Sequence, residues 1–408
     1  MTAMPAYRAV PDSPATGITA ARGFTASGVH CGIRKSRPDL ALVVSDRPAS
    51  AAAVFTRNRV QAAPVLVCRD TLAASGGHAR AIVVNSGNAN ACTGPDGMVH
   101  ARMTVVAAAR ALGLGVDEVL VASTGVIGQR LPVERLLEGI PAAVAALSTA
   151  GGEHASQAIL TTDTCAKLAV RRVETPSGSY TVGGMAKGSG MIHPDMATTL
   201  GFVTTDAAVP PVLLQQVLQG GIDRSFNRIT VDGDTSTNDM VAVLANGASG
   251  VEVSADADHG FAAALEEVLV ELARQVAKDG EGASKLIEVC VTGAVSEDQA
   301  VAVARTVSGS PLVKTAVHGA DANWGRIVAA AGRAGVDVDP ERMRVSICGL
   351  EVLGPGYVSD YSEDEATRRM RADEVLLEVD LGEGPAQATC WTCDLTHGYI
   401  DINASYRS

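Results

Sequence analysis

Residues 183–200 read GGMAKGSGMIHPDMATTL, and the reading of this stretch decides whether the chain is two domains or one. Four glycines and a proline leave it with little helical or strand period. Near the middle of 408 residues, such a segment is either a linker between two domains of roughly 200 residues or a functional loop within one large α/β unit. Linkers are polar, whereas this stretch carries Met191, Ile192, Met196 and Leu200. The loop reading is preferred.

Working outward, β-branched runs flank the loop at 40–44, 79–84 and 119–122 before it, and at 286–292, 344–348, 375–379 and 388–396 after it. Helical patterns lie between them at 99–112, 132–147, 211–220, 261–278 and 363–370. The clearest is 261–278, where Phe261, Leu265, Val268, Leu269, Leu272 and Val276 share one face. Pro132 and Pro211 suit helix first turns. With 47% hydrophobic and 19% charged residues the chain must fold around a core, and 42 glycines with only 3% aromatic residues point to Ala, Val, Leu and Ile packed between tight turns. Layered α/β architecture follows.

The balance of 33 basic against 45 acidic residues, a net charge of −12, argues against nucleic acid or an anionic membrane as partner. No uncharged apolar run reaches the roughly 18 residues of a membrane span. The opening MTAMPAYRAVPDSPATG has no basic-then-apolar signal and reads as a frayed tail. A soluble, cytoplasmic protein is expected. Of eight cysteines, several sit in apolar runs as small hydrophobes. Cys390 and Cys393 are three apart in a strand pattern and should face opposite ways, which suits neither a metal site nor a disulfide. No metal is expected.

Two stretches after strands, NSGNANACTG (85–94) and ASTGVIG (122–128), could offer backbone N–H groups to a developing negative charge, although both also read as ordinary βα turns. Neither has phosphate-loop spacing, and no GxGxxG follows a strand. Polar clusters at 161–164 (TTDT), 232–239 (DGDTSTND), 279–282 (DGEG) and 318–326 (HGADANWGR) imply a site assembled from distant loops. DGDTSTND lacks the glutamate of a calcium loop. His193 and His318 are possible bases, without a GxSxG elbow to accompany them.

These motifs, with GFTASGVHCGIRKSRPDLAL, VFTRNRVQAAPV, KDGEGASKLIEV, SPLVKTAVHGADANWGR and the terminal GYIDINASYRS, run in an order that resembles the ornithine acetyltransferases of arginine biosynthesis, which act as glutamate N-acetyltransferases. The resemblance implies an αββα-like layered sandwich and a self-cleaving precursor. Cleavage would fall between Ala197 and Thr198, giving fragments 1–197 and 198–408 paired as a heterotetramer of two of each, with Thr198 as the nucleophile. An α-amine on that threonine has the pKa, near 8, to act as its base. Carried over by motif, Thr124 and Gly125 are the oxyanion hole, and Thr161, Lys187, Thr198, Glu281, Asn403 and Ser408 hold the amino-acid substrate. Thr162 and Thr164 compete with Thr161 for its role. The expected reaction moves acetyl from N2-acetylornithine to glutamate with no cofactor, and the C-terminal tail is expected to close the site. The sequence leaves open whether acetyl-CoA is a second donor, as in bifunctional members.

Thr199, His193 and Ser408 depart mildly from the family pattern, which keeps a paralogue of altered amine specificity in view. A related amidohydrolase or aminopeptidase is the rival enzyme, and a non-catalytic binder the rival from another class. Lys187 and Glu281 favour transfer to an amino acid over hydrolysis. The intact MAT and TG motifs argue against a mere binder.

Overall fold

The computed structural model describes residues 17–193 and 199–405. The proposed Ala197–Thr198 break and Ser408 lie outside the described residues, as does Pro194. Six strands precede the break: β1 (Phe24–Val29), β2 (Leu40–Phe55), β3 (His78–Asn88), β4 (Val119–Val126), β5 (Lys167–Thr175) and β6 (Gly178–Lys187). Two of the strands that follow it, β7 (Leu200–Thr205) and β8 (Met240–Ala245), join them. Together they form one mixed sheet in the order β4-β3-β2-β8-β7-β6-β5, with β1 also paired to β2. The long β2 serves two neighbours in turn, residues 40–45 lying against β1 and residues 50–55 against β8. Its register against β3 shifts between Val44 and Ala49, where Pro48 has no N–H to give a ladder.

Helices α1 (Ala63–Ser75), α2 (Gly94–Leu112), α3 (Val133–Ala145) and α4 (Gly152–Ala158) bury Val65, Val105, Leu136 and Ala155 with Leu42, Ile82, Leu120 and Phe202 of the sheet. Helices α5 (Pro211–Asp223) and α6 (Phe261–Lys278) bury Leu214, Leu218, Leu265, Leu269 and Leu272 against Tyr180, Val182 and Val203. Each such leucine contributes about 1.5–3 kcal/mol of transfer free energy. A second sheet, ordered β11-β10-β12-β9-β13, holds β9 (Leu286–Ala294), β10 (Arg344–Ile347), β11 (Leu350–Leu353), β12 (Glu374–Asp380) and β13 (Ala386–Cys393). It packs with α7 (Glu297–Ser308), α8 (Pro311–His318), α9 (Trp324–Gly332) and α10 (Glu363–Met370). The short α11 (His397–Asn403) follows β13. Sheets sandwiched by helices are the layered α/β architecture expected, and α6 has the bounds and the buried face its period predicts. None of the described helices is long and apolar enough to cross a membrane.

The glycine-rich opening of the quoted stretch is not loop. Residues 183–187 complete β6, and the glycines serve close packing. A Cβ on Gly183 would fall 2.1 Å from the Gly17 carbonyl oxygen, and one on Gly184 would fall 2.9 Å from Leu272. The strand read as 388–396 ends at Cys393, and the helix read from Pro132 begins at Val133, with Pro132 at its N-cap. Cys390 lies in the core of the second sheet and Cys393 in the core around α6, on opposite faces of β13 as its period requires. Burial pushes the Cys390 thiol up to about 12.

Candidate active site

β6 ends at Lys187 and β7 begins at Leu200, and these two residues are register partners in an antiparallel pair. The loop between them is therefore tied at its base, and Lys187 is held at the end of a buried strand. Its ammonium donates to Thr161 Oγ1 at 2.8 Å and to Thr124 Oγ1 at 3.3 Å, with Asp163 Oδ2 3.7 Å away. Thr124 and Gly125 close β4, which runs parallel to β3 in a register that sets Ser86 beside Thr124 and Gly87 beside Gly125. The two small-residue stretches are thus one structure, the ends of two neighbouring parallel strands. Gly125 has φ +131°, and a Cβ there would lie 2.4 Å from the Gly87 carbonyl carbon and 2.6 Å from Asn88 N. Only glycine fits. Asn238 fastens this corner, its amide donating to the Ala89 and Ser123 carbonyls at 2.6 and 2.8 Å.

Beneath Lys187 lies an ionic cluster that sequence reading missed. Asp163 Oδ1 accepts from Lys167 Nζ at 2.8 Å and from the Gly188 N–H at 2.7 Å, and Oδ2 accepts from the Thr161 N–H at 2.9 Å. Lys167 also donates to Asp279 Oδ2 at 2.5 Å, and Thr164 gives Asp279 both its N–H and its hydroxyl. Burial alone would raise the Asp163 carboxyl, but the Lys187 and Lys167 ammonium groups outweigh it and hold Asp163 well below the usual range. Burial would likewise lower Lys167, and Asp163 and Asp279 raise it instead. The signs follow. Asp163 contributes stability that is present above the unfolded carboxyl value, about 4, and is lost as pH falls below it. Lys167 contributes stability present below about pH 10.4 and lost above it.

Replacing Lys167 by Met leaves Asp279 without its cation and Asp163 with Lys187 alone, and is expected to cost about 3–5 kcal/mol, read as a lower urea midpoint at pH 7. The deficit should shrink toward pH 4 as Asp163, left with one cation, takes up a proton more readily. A midpoint unchanged from wild type would show that the cluster contributes nothing to stability.

The other end of the site comes from the second half of the chain. Glu281 follows the Asp279 turn, its N–H donating to the Ser189 carbonyl at 2.9 Å, while the Ser189 hydroxyl donates to the Asp279 carbonyl at 2.6 Å. Gly190 leaves the space the Glu281 carboxylate fills, since a Cβ there would lie 2.3 Å from Oε2. The Asn403 amide on α11 donates to Glu281 Oε2 at 2.8 Å. One turn earlier, the Tyr399 hydroxyl donates to Asp232 Oδ2 at 3.3 Å. Asp232 also accepts from the Met191 and Ile192 N–H groups at 2.6 and 2.9 Å. Burial raises the Asp232 carboxyl against these hydrogen bonds, and burial with the nearby Asp232 raises the Tyr399 phenol.

Thr124, Gly125, Thr161, Thr162, Lys187, Asp232, Asn238, Glu281, Tyr399 and Asn403 line one cavity of about 150 Å³. Of the polar clusters read from sequence, 161–164, 232–239 and 279–282 meet there, and Thr161 is the threonine bonded to Lys187. The cluster at 318–326 does not contribute. His318 is spent on Asp394, its Nδ1 2.9 Å from Oδ2, and His193 Nδ1 lies 3.2 Å from Thr230 Oγ1. Neither imidazole lines the cavity. Thr198 and Ser408 are outside the described residues, but the sequence joins Thr198 to Thr199, which is buried and whose carbonyl accepts from Met240 N at 3.1 Å. A cation with hydroxyls at one end and a carboxylate with an amide at the other suit a zwitterionic amino acid. Among the described residues no cluster of His, Cys, Asp and Glu could hold a metal.

The ArgJ family model matches residues 25–408. The arginine biosynthesis bifunctional protein ArgJ of Chlorobaculum tepidum is 48% identical over 401 residues, which is 98% of this chain and 99% of that protein. Its counterpart from Symbiobacterium thermophilum is 50% identical over 97% of this chain and 99% of its own length. Among solved structures, the arginine biosynthesis bifunctional protein ArgJ of Bacillus halodurans aligns at 46% identity with 50% of this chain and 98% of its own, with a TM-score of 0.49. The ornithine acetyltransferase of Mycobacterium tuberculosis complexed with ornithine aligns at 46% identity with 44% of this chain and 95% of its own, with a TM-score of 0.41.

Proposed function

The chain belongs to the ArgJ family of ornithine acetyltransferases, and we propose that it moves the acetyl group of N2-acetyl-L-ornithine to L-glutamate through an acetyl ester on Thr198. The Thr198 hydroxyl attacks the acetyl carbonyl while the α-amine of the same residue takes its proton. The oxygen that becomes negative lies against the Thr124 hydroxyl and the Gly125 N–H. The tetrahedral species collapses, ornithine leaves with the proton on its amine, and Thr198 is left acetylated. The glutamate amine then attacks the ester, and N-acetylglutamate departs as the threonine hydroxyl is restored.

The amine exists only once the chain has been cut. In the precursor the Thr198 hydroxyl attacks the Ala197 carbonyl, the peptide becomes an ester, and water opens it to give fragments 1–197 and 198–408, assembled as two of each. Lys187 and Thr161 hold the substrate carboxylate, while Glu281, oriented by Asn403, holds its ammonium, with Ser408 closing that side. Acetyl-CoA is a second donor to the same threonine.

The observation that carries this reading is the meeting of Thr124, Gly125, Thr161, Lys187, Glu281 and Asn403 around one cavity. A site made for hydrolysis alone needs no paired cation and carboxylate for an amino-acid acceptor. The test is to incubate the purified protein with acetylornithine and glutamate and to follow N-acetylglutamate. Release of free acetate without N-acetylglutamate would replace transfer by hydrolysis. Asn403→Ala removes a hydrogen bond to a charged group and is expected to raise KM for acetylornithine about tenfold, with self-cleavage unchanged on a gel. An unaltered KM would remove Asn403 from the substrate site.

A further inference from the structure

A second pocket, of about 830 Å³, shares Thr161 and Thr162 with the first, both residues lining the two cavities. Its other walls include Arg34, Arg37, Gln157 and Leu160. The loop that brings the arginines is built around one buried carboxylate. Asp39 is fully buried and accepts the N–H groups of Cys31, Gly32 and Arg34 at 2.6, 3.1 and 2.8 Å. The Arg37 carbonyl is 2.9 Å from His30 Nδ1. With Asp39 turned inward, the segment IRKSR carries Arg34, Lys35 and Arg37 and no acidic residue of its own, in a chain of net charge −12.

The two arginines do different work. The Arg34 guanidinium donates to the Leu160 and Thr161 carbonyls, which fastens the loop to the segment that carries Thr161. Arg37 is exposed and has no ion-pair partner among the described residues. Asp163 is part of the wall, but it is buried and its oxygens are turned to Lys167 and Lys187. A bare guanidinium set a pair of threonines away from an acyl-transfer site is a fork for carboxylate or phosphate oxygens.

We propose that this pocket is an anion subsite, in which Arg37 receives a carboxylate or phosphate borne by a reactant whose acyl or amine end lies in the neighbouring cavity. The proposal rests on the acyl-transfer reading. Beyond the α-carboxylate given to Lys187 and Thr161, two reactants carry such a group: glutamate, whose side-chain carboxylate ornithine lacks, and acetyl-CoA, whose phosphates acetylornithine lacks.

Arg37→Glu and Arg37→Lys, both exposed changes, separate the possibilities. Arg37→Glu is expected to raise KM about tenfold for the reactant that uses the pocket, with kcat and self-cleavage unchanged. The effect should fade at high salt, and Arg37→Lys should restore most of it. A shift confined to acetyl-CoA assigns a phosphate, and a shift confined to glutamate assigns a carboxylate. Equal KM values for both reactants in wild type and Arg37→Glu would overturn the subsite. Calorimetric titration with adenosine 3′,5′-bisphosphate and with glutarate tests the pocket without turnover. Binding lost in Arg37→Glu supports it even if wild-type protein fails to make N-acetylglutamate, a failure that would count against the acyl-transfer reading alone. Binding of neither probe to wild-type protein, together with unshifted KM values, would also overturn it.

Discussion

Thr198→Ala is expected to run as a single 408-residue band on a denaturing gel and to transfer no measurable acetyl group. Cleavage and turnover fail together because both use the same oxygen. On the proposed mechanism it attacks the Ala197 carbonyl in the precursor and the acetyl carbonyl in the mature protein. Loss of a covalent nucleophile costs about 10⁴-fold or more in kcat, because what remains is only binding and electrostatic stabilisation. Thr198→Ser keeps a hydroxyl and a cleavable peptide, and it should cut and turn over more slowly. That pairing separates loss of the nucleophile from loss of the fold. A Thr198→Ala chain that is cut and transfers acetyl at the wild-type rate would overturn both steps of the mechanism.

Gly125→Ala should leave the protein folded and slow acylation of Thr198 by about 10²–10³-fold, the usual cost of one oxyanion donor. The methyl would land 2.4 Å from the Gly87 carbonyl carbon at a φ of +131°, so neither the side chain nor the backbone conformation can be accommodated in place. The corner between β3 and β4 must open, and the Gly125 N–H moves with it. Because the donor acts on charge that develops only in the transition state, kcat should fall with little change in KM. Pre-steady-state measurement of the acetyl-enzyme isolates the affected step. A wild-type acylation rate in a folded variant would reduce the Thr124–Gly125 corner to a turn.

The parts of this molecule legible in the sequence were those set by local pattern. Helix α6 was readable because its apolar residues recur at helical spacing and are all buried. The alternation of Cys390 and Cys393 across β13 was readable because the strand period is fixed. β6 was not. GSYTVGGMAK carries glycines that look like punctuation, and only the approach of Gly17 and Leu272 explains them. Nor could the sequence show Asp163 between Lys167 and Lys187, since an i,i+4 pair ordinarily marks a helix surface and here joins a loop to a strand. Asp232 and Tyr399 were invisible as partners for the same reason, their contact being made by the fold across 167 positions. His318 misled in the opposite direction, being eye-catching in its motif yet committed to Asp394.

The strand order dictates how fragments 1–197 and 198–408 would have to be made. In the sheet β4-β3-β2-β8-β7-β6-β5, the strands β7 and β8 from beyond the proposed break are wedged between β2 and β6 from before it. A cut at 197–198 would sever the β6–β7 connection while leaving both strands in the interior of the sheet, interlaced like the fingers of two hands. Neither piece synthesised by itself could hide the unpaired backbone along β2, β6, β7 and β8, and bare edges of that kind invite promiscuous pairing. Translation as one polypeptide supplies the halves in equal number and at the high mutual concentration of tethered segments. On the proposed cut the tether would then be discarded, and the shared sheet would keep the two chains together for the life of the enzyme.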